Sequence, residues 1–180
     1  MQDNKRGDSS VLMTLFAHNS WANLKLLEFC EQLSDEQLNA TAIGCFGSIR
    51  DTLWHIIGAE VSYVRRVNGK QPRHQISRDV VPGFAVMKDL ARWASDELLQ
   101  LALSARDDTM VTQSMGDEHM EYRLAGLIMQ AINHSNEHRA QIATIITQLG
   151  LEPPDMSGWQ YMEETGDLKM WTTPSHEAKP

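Results

Sequence analysis

Two histidines four positions apart, His134 and His138, have the spacing in this sequence that best suits chemistry. On an α-helix such residues share a face and lie about 6 Å apart along the axis. Two neutral imidazoles in that arrangement can reach one divalent ion, and nitrogen ligands suit zinc and similar metals. The pair alone is weak evidence, because the same spacing also occurs on solvent-facing helices that bind no metal.

The helix that carries the pair makes a metal site more plausible. His138 falls inside its apolar arc and His134 at the edge, whereas Glu137 lies outside and is expected to be solvent-exposed. The metalloprotease motif is excluded, because its glutamate follows the first histidine directly and Ser135 stands there. The arc comprises Leu124, Leu127, Ile128, Ala131, Ile142, Ile145, Ile146 and Leu149.

His55 is the natural third ligand, because it lies beside the apolar arc of another predicted helix. The alternative is a helix histidine satisfied by ordinary hydrogen bonds. Glu60 falls on the same arc, where an unpaired carboxylate would be unfavourable. It therefore needs a partner, either an imidazole that it orients or, as we favour, an arginine from another helix. The remaining histidines are left out of the predicted site: His18, His74, His119 and His176.

Hydrophobic periodicity and cap residues predict four long helices. The first follows the candidate cap residues Asp8, Ser9 and Ser10, and ends near Ser34. The others cover about 49–67, a stretch beginning after Pro82, and about 123–149, with a proline-containing crossover before the third. A short hairpin or extended excursion around Gly116 precedes the last helix, and a short packed turn with a loose tail follows it. We expect an all-α domain over residues 9–162, with flexible tails at 1–8 and 163–180.

Composition limits the possible partners and the compartment. The chain has 180 residues and a net charge of −8, which opposes binding to nucleic acid. No apolar run is long enough to span a membrane, and the N-terminus lacks the apolar core of a signal peptide. Two cysteines, Cys30 and Cys45, do not form a disulfide framework. We therefore expect a cytoplasmic protein with a small-molecule substrate and neither a membrane nor a nucleic-acid partner.

Four segments resemble the DinB/YfiT-like superfamily of metalloenzymes over about residues 9–162. They are FAHNSWANLKLLE, GSIRDTLWHIIGAE, MGDEHMEYRL and INHSNEHRAQIATIITQLGLEPP. The resemblance implies an up-down-down-up four-helix bundle that forms homodimers. It also implies one divalent ion, nickel or zinc, bound by His55, His134 and His138. Glu137 departs from many members, which carry a further histidine there, and Ala140 departs from a frequent glycine.

The resemblance also implies a reaction class. Characterised members include transferases and isomerases that use low-molecular-weight thiols such as bacillithiol and mycothiol. A metal-dependent S-transferase with a thiol cosubstrate is therefore the leading hypothesis. Hydrolysis by metal-activated water and a non-enzymatic, stress-related dimeric scaffold are the alternatives. The sequence identifies no catalytic acid or base for any of them.

Overall fold

The computed structural model describes residues 4–77, 80–106 and 108–171, and these are mostly helical. Within these residues, no helix combines the length and the apolar character needed to cross a membrane. The elements in chain order are α1 Asn4–Cys30, α2 Asp35–Leu38, α3 Ile49–Asn68, α4 Phe84–Ser104, β1 Met110–Met115, β2 Glu118–Arg123, α5 Leu124–Gln148 and α6 Gly158–Thr165.

Helix α3 has the ends that its sequence predicts. The Ser48 side chain accepts a hydrogen bond from the backbone N–H of Asp51 at 3.1 Å, which caps the first turn. Gly69 ends the helix in the left-handed region at φ 70°, where a side chain would be strained. These two signals fix the helix that carries His55 and Glu60.

The prediction for the start of α1 is wrong. The helix begins at Asn4, so Asp8, Ser9 and Ser10 lie inside it and are not caps. No proline stands in the first thirty residues to stop the helix from extending toward the N-terminus. The helix ends at Cys30, earlier than predicted, and Ser34 instead caps the short helix α2 through a capping box with Gln37.

Residues 110–123 form two antiparallel strands, in which Gln113 pairs with Met120 and Ser114 with His119. Gly116 makes the turn at φ 63°, which favours glycine. The second strand leads directly into α5, which begins at the next residue, Leu124. The backbone N–H of Leu124 also donates to Thr109 O at 2.9 Å, which ties the start of α5 to the start of the hairpin. The all-α expectation therefore needs correction, since the described fold includes this small sheet.

The four long helices α1, α3, α4 and α5 pack against one another around buried apolar side chains. One cluster is centred on residues such as Leu27, Ile56 and Ile142, and the other on Phe16, Val64 and Leu98. The up-down-down-up order and the domain limits of 9–162 stay predictions.

The C-terminal part of the described chain packs on α1. Glu164 of α6 accepts hydrogen bonds from Trp21 Nε1 at 2.8 Å and Lys25 Nζ at 2.6 Å. His18 Nε2 donates to the carbonyl of Met156 at 3.0 Å, and its ring contacts Trp21. A short helix, α6, therefore stands where a packed turn is predicted. Residues 172–180 of the predicted flexible tail lie outside the described residues.

A buried polar network crosses the apolar interior between α1, α3 and α5. Glu60 Oε1 accepts hydrogen bonds from Asn19 Nδ2 at 2.8 Å, Asn23 Nδ2 at 3.0 Å and Ser135 Oγ at 2.6 Å. Arg139 Nη1 donates to the carbonyl oxygens of the same two asparagines at 2.8 and 2.6 Å. The arginine expected near Glu60 is thus present, and the two asparagine amides bridge the opposite charges.

Candidate metal centre

Helices α3 and α5 bring the three predicted histidines together. His55 Nε2 lies 3.0 Å from His134 Nε2. The ring of His138 is 4.7 Å from that of His55 and 4.5 Å from that of His134, measured between centroids. One nitrogen from each ring can be chosen so that all three lie within 4.8 Å of one another. Among the described residues, no other group of three potential ligands gathers in this way.

The spacing of these nitrogens fits a single ion. Two nitrogens bound at about 2.1 Å are about 3.0 Å apart at a right angle and about 3.4 Å apart at a tetrahedral angle. The 3.0 Å separation between His55 and His134 matches this range. The upper limit of 4.8 Å for the trio slightly exceeds the roughly 4.2 Å that ligands on opposite sides of an ion would span. The third nitrogen would therefore have to move closer for all three to bind one ion.

Gln141 fixes the orientation of His138. The Nδ1–H of His138 donates to Gln141 Oε1 at 2.9 Å, and the backbone N–H of Phe46 donates to the same oxygen at 3.0 Å. With Nδ1 protonated, the lone pair of neutral His138 is on Nε2, which is the nitrogen free to bind an ion. At metal sites, a carbonyl oxygen commonly accepts a hydrogen bond from the histidine nitrogen that does not bind the metal.

Phe46 covers one side of the trio. Its ring stacks on His55 with centroids 3.9 Å apart, and its edge-to-face distance to His138 is 5.3 Å. The ring belongs to the loop between α2 and α3, which is also attached to α5 because Cys45 Sγ donates to Gln141 O at 3.6 Å. The loop therefore shields one side of the imidazoles while another side stays open.

Burial and mutual repulsion keep two of the imidazoles neutral. Burial, followed by the charges of His138 and His55, lowers the pKa of His134 from 6.5 to about 4. Burial, followed by the charge of His138, also lowers the pKa of His55. Neutral imidazoles are the form that binds metals. The buried Nδ1 of His134 has no hydrogen-bond partner among the described residues, so this ring is only partly satisfied by protein atoms.

The histidines left out of the predicted site lie elsewhere. His18 Nε2 donates to the carbonyl of Met156 in the segment before α6. His74 Nε2 lies 3.1 Å from Asp89 Oδ2. His119 stands in β2, and its Nδ1 lies 2.9 Å from Ser114 Oγ. His176 lies outside the described residues. Glu137 is exposed, as expected.

Sequence reasoning missed Gln141 and Phe46. Gln141 stands three positions after His138, a spacing that places both on one helical face and would have been a usable signal. Phe46 stands between two glycine-containing turns of a connecting loop, and no periodic pattern indicates where such a ring will pack.

The open side of the trio leads into a groove of about 640 Å³, which we call the α3 groove. Its lining includes His55, His134 and Phe46 at one end, and Arg65 and Arg66 at the other. A volume of this size falls within the usual range for small-molecule sites. Two of the three imidazoles, those of His55 and His134, are therefore accessible to a small molecule, whereas His138 is buried beside them.

Comparison with known proteins places the chain in a family. The model of the DinB family matches residues 1–174. The chain belongs to the DinB family. It is 24% identical to the uncharacterized protein YizA of Bacillus subtilis over 155 residues, which are 81% of this chain and 92% of that protein. A crystal structure of a DinB-like protein from Bacillus cereus matches with a TM-score of 0.57 and 20% identity, covering 80% and 94% of the two chains. That likeness supports a DinB-like fold.

Proposed function

We propose that this DinB-family protein binds one divalent ion, nickel or zinc, through His55, His134 and His138. The observation that carries the proposal is the convergence of three imidazoles, two of which, His55 and His134, line an open groove. Their donor set suits borderline divalent metals, and the hydrogen bond from His138 to Gln141 leaves Nε2 available. No other ligand is required from the protein.

We further propose that the site is catalytic. Three protein ligands leave positions open on an ion, which is typical of catalytic sites, whereas structural zinc sites are usually closed by four ligands. A bound divalent ion would supply Lewis acidity that lowers the pKa of a coordinated thiol or water. Around it, Gln141 orients His138, and Phe46 restricts the access of water from one side.

Thiol-dependent S-transfer is the reaction we favour, with a low-molecular-weight thiol as the cosubstrate. The support is the similarity to DinB/YfiT-like enzymes, together with a groove large enough for such a molecule. Hydrolysis by metal-activated water uses the same open positions and is the second candidate. A non-enzymatic dimeric scaffold is the third, with the ion stabilising the helical fold.

Metal analysis and mutagenesis separate these functions. Purified protein incubated with nickel or zinc should retain about one ion per chain, and each of His55→Ala, His134→Ala and His138→Ala should lose it. If the site is catalytic, the three variants should stay folded but lose turnover in a screen of thiols with electrophiles. If the ion is structural, chelation should unfold the protein, because metal binding would be coupled to folding. Retention of less than about 0.1 ion per chain would contradict the site.

We also propose a homodimer. An apolar groove between α1, α4 and α5 is lined by Leu12, Leu15, Met129 and Ile132, and the side chains of Leu15 and Met129 are exposed. Exposed apolar patches of this kind often mark protein interfaces. Light scattering should give twice the chain mass, and Met129→Glu should give the monomer. A monomeric wild type at micromolar concentration would contradict the proposal.

A further inference from the structure

The floor of the α3 groove is the solvent-facing side of α3. Within this floor, positions 51, 55, 58, 62 and 65 recur at intervals of three or four, so these residues share one helical face. Ile76 and Val81, from the segment between α3 and α4, line its side. The groove therefore extends along the helix axis from the candidate metal centre toward the C-terminal end of α3. Its floor comprises Asp51, Trp54, His55, Gly58, Ala59, Ser62, Arg65 and Arg66.

The middle of the groove is kept open by small residues. A Cβ atom added at Gly58 would have only one neighbour within 4 Å, Trp54 Cε2 at 4.0 Å. Ala59 and Ser62 continue this floor by one further turn. Trp54, Ile76 and Val81 provide apolar surface around it. The space above this turn of α3 is therefore open to the middle part of a ligand.

The two ends of the groove differ in charge. Arg65 and Arg66 form no ion pair with any described residue, and the Arg66 guanidinium lies 5.8 Å from the Tyr63 ring centroid. At the other end, Asp51 lines the groove close to His55. The two unpaired arginines therefore attract an anionic group of a ligand whether or not an ion is bound at the imidazoles. A divalent ion there would outweigh the single charge of Asp51, so the placement of an anionic group at the far end rests on the arginines alone.

The length of the ligand follows from helix geometry. His55 and Arg65 are ten residues apart on α3, which corresponds to about 15 Å at 1.5 Å per residue. Two guanidinium groups suit a phosphate, which carries about −1.5 to −2 charges at pH 7 and accepts several hydrogen bonds.

We propose that the α3 groove binds an elongated small molecule with a terminal phosphate held by Arg65 and Arg66, its reactive end lying at the three imidazoles. The proposal rests on the metal-dependent function above and adds the class of molecule on which that site acts. The phosphate provides affinity and orientation about 15 Å from the reactive end. The groove's floor accommodates the connecting chain.

Calorimetry with a matched pair of probes tests this proposal. The probes are 4′-phosphopantetheine and pantetheine, which share a thiol arm and differ only by the terminal phosphate. The thiol and phosphate are thirteen bonds apart, or about 16 Å at about 1.2 Å per bond when extended. Zinc-loaded protein should bind the phosphorylated probe about tenfold or more tightly at low salt, because charge-assisted hydrogen bonds are worth about 1.5–3 kcal/mol.

Variants assign the preference to the groove. The double substitution Arg65→Ala with Arg66→Ala should abolish the difference between the two probes. Arg92→Ala, which removes an exposed arginine of α4 outside the groove, should leave the difference intact. Ser62→Phe should fill the middle of the groove and weaken both probes. All these variants are expected to fold, which circular dichroism checks.

The outcomes separate this proposal from the metal-dependent function. Equal binding of the two probes by zinc-loaded protein would overturn the phosphate site and leave the metal site standing. An unchanged preference in the double arginine variant would also overturn it. If zinc does not bind, the metal-dependent function fails. The preference can then still be measured on metal-free protein, where its presence supports the phosphate end and its absence overturns it.

Discussion

Replacing Glu60 by alanine should lower the free energy of unfolding by about 4 kcal/mol. The side chain is fully buried, and its Oε1 accepts three hydrogen bonds, from Asn19, Asn23 and Ser135. The substitution leaves these donors without an acceptor and leaves the charge of Arg139 without its counterpart. Removing one member of a buried charge pair typically costs about 3–5 kcal/mol, and this range sets the estimate for Glu60, which is linked to Arg139 through the two asparagine amides.

Glu60→Gln should be milder, at about 1–2 kcal/mol, because the amide oxygen can still accept hydrogen bonds. Burial raises the pKa of Glu60, while the hydrogen bonds and the charge of Arg139 oppose that shift. A higher carboxyl pKa reduces the penalty of losing the charge, so the glutamine variant should stay closer to wild type. For a chain of this size, about 4 kcal/mol corresponds to a decrease in Tm of about 8–16 °C.

Urea unfolding followed by far-ultraviolet circular dichroism measures these differences. Glu137→Ala is the matched control, since Glu137 is exposed on α5 and its loss should change stability by less than about 0.5 kcal/mol. Arg139→Met combined with Glu60→Ala should cost less than the sum of the two single substitutions, because both groups belong to one network. A loss below about 1 kcal/mol in Glu60→Ala, or an equal loss in Glu60→Gln, would refute this account of the network.

Three further predictions concern the metal centre and the cysteines. Gln141→Ala should weaken zinc binding about 10–100-fold in a chelator competition, because His138 loses the partner that orients it. Phe46→Ala should leave the fold intact and speed zinc release to a chelator, because the ring covers one side of the site. Burial raises the pKa of Cys30 to about 12, so at pH 8 native protein should react with a disulfide reagent only at Cys45, and denatured protein at both cysteines.

Each of these has a control or a contradicting result. Gln148→Ala, an exposed substitution on α5, should leave zinc affinity unchanged, and an equal effect of the two glutamine variants would contradict the orienting role. Slower or unchanged zinc release in Phe46→Ala would contradict the covering role of the ring. Two reactive thiols in native protein would show that the Cys30 site opens readily.

Local signals were sufficient for much of the helical pattern. Ser48 and Gly69 mark the ends of α3 because capping and left-handed conformations depend on a few neighbouring residues. Gly150, at φ 77°, similarly follows the end of α5. The start of α1 was missed because Asp8 and Ser9 can cap a helix but need not, and α1 continues through them to Asn4.

The three imidazoles were predictable from spacing and from the family resemblance, but their surroundings were not. A pair four apart on α5 and a histidine beside the arc of α3 are features of single helices. The contact of Phe46 with His55 depends on how the loop before α3 folds back onto α5, and no local rule determines that path. The sequence could not reveal a contact that only the packed helices create.

The buried network explains how two helices can hold the three imidazoles in register. Ser135 and Arg139 directly follow His134 and His138, so the same turns of α5 that carry the candidate ligands also carry two members of the network. Apolar side chains tolerate small sliding of one helix along another, whereas hydrogen bonds to a buried carboxylate require a defined distance and direction. Glu60 stands on α3 between the turn of the third histidine and the arginines of the groove. The feature that looked unfavourable in the sequence, a carboxylate on an apolar arc, therefore fixes α5 against α3 where the imidazoles must meet.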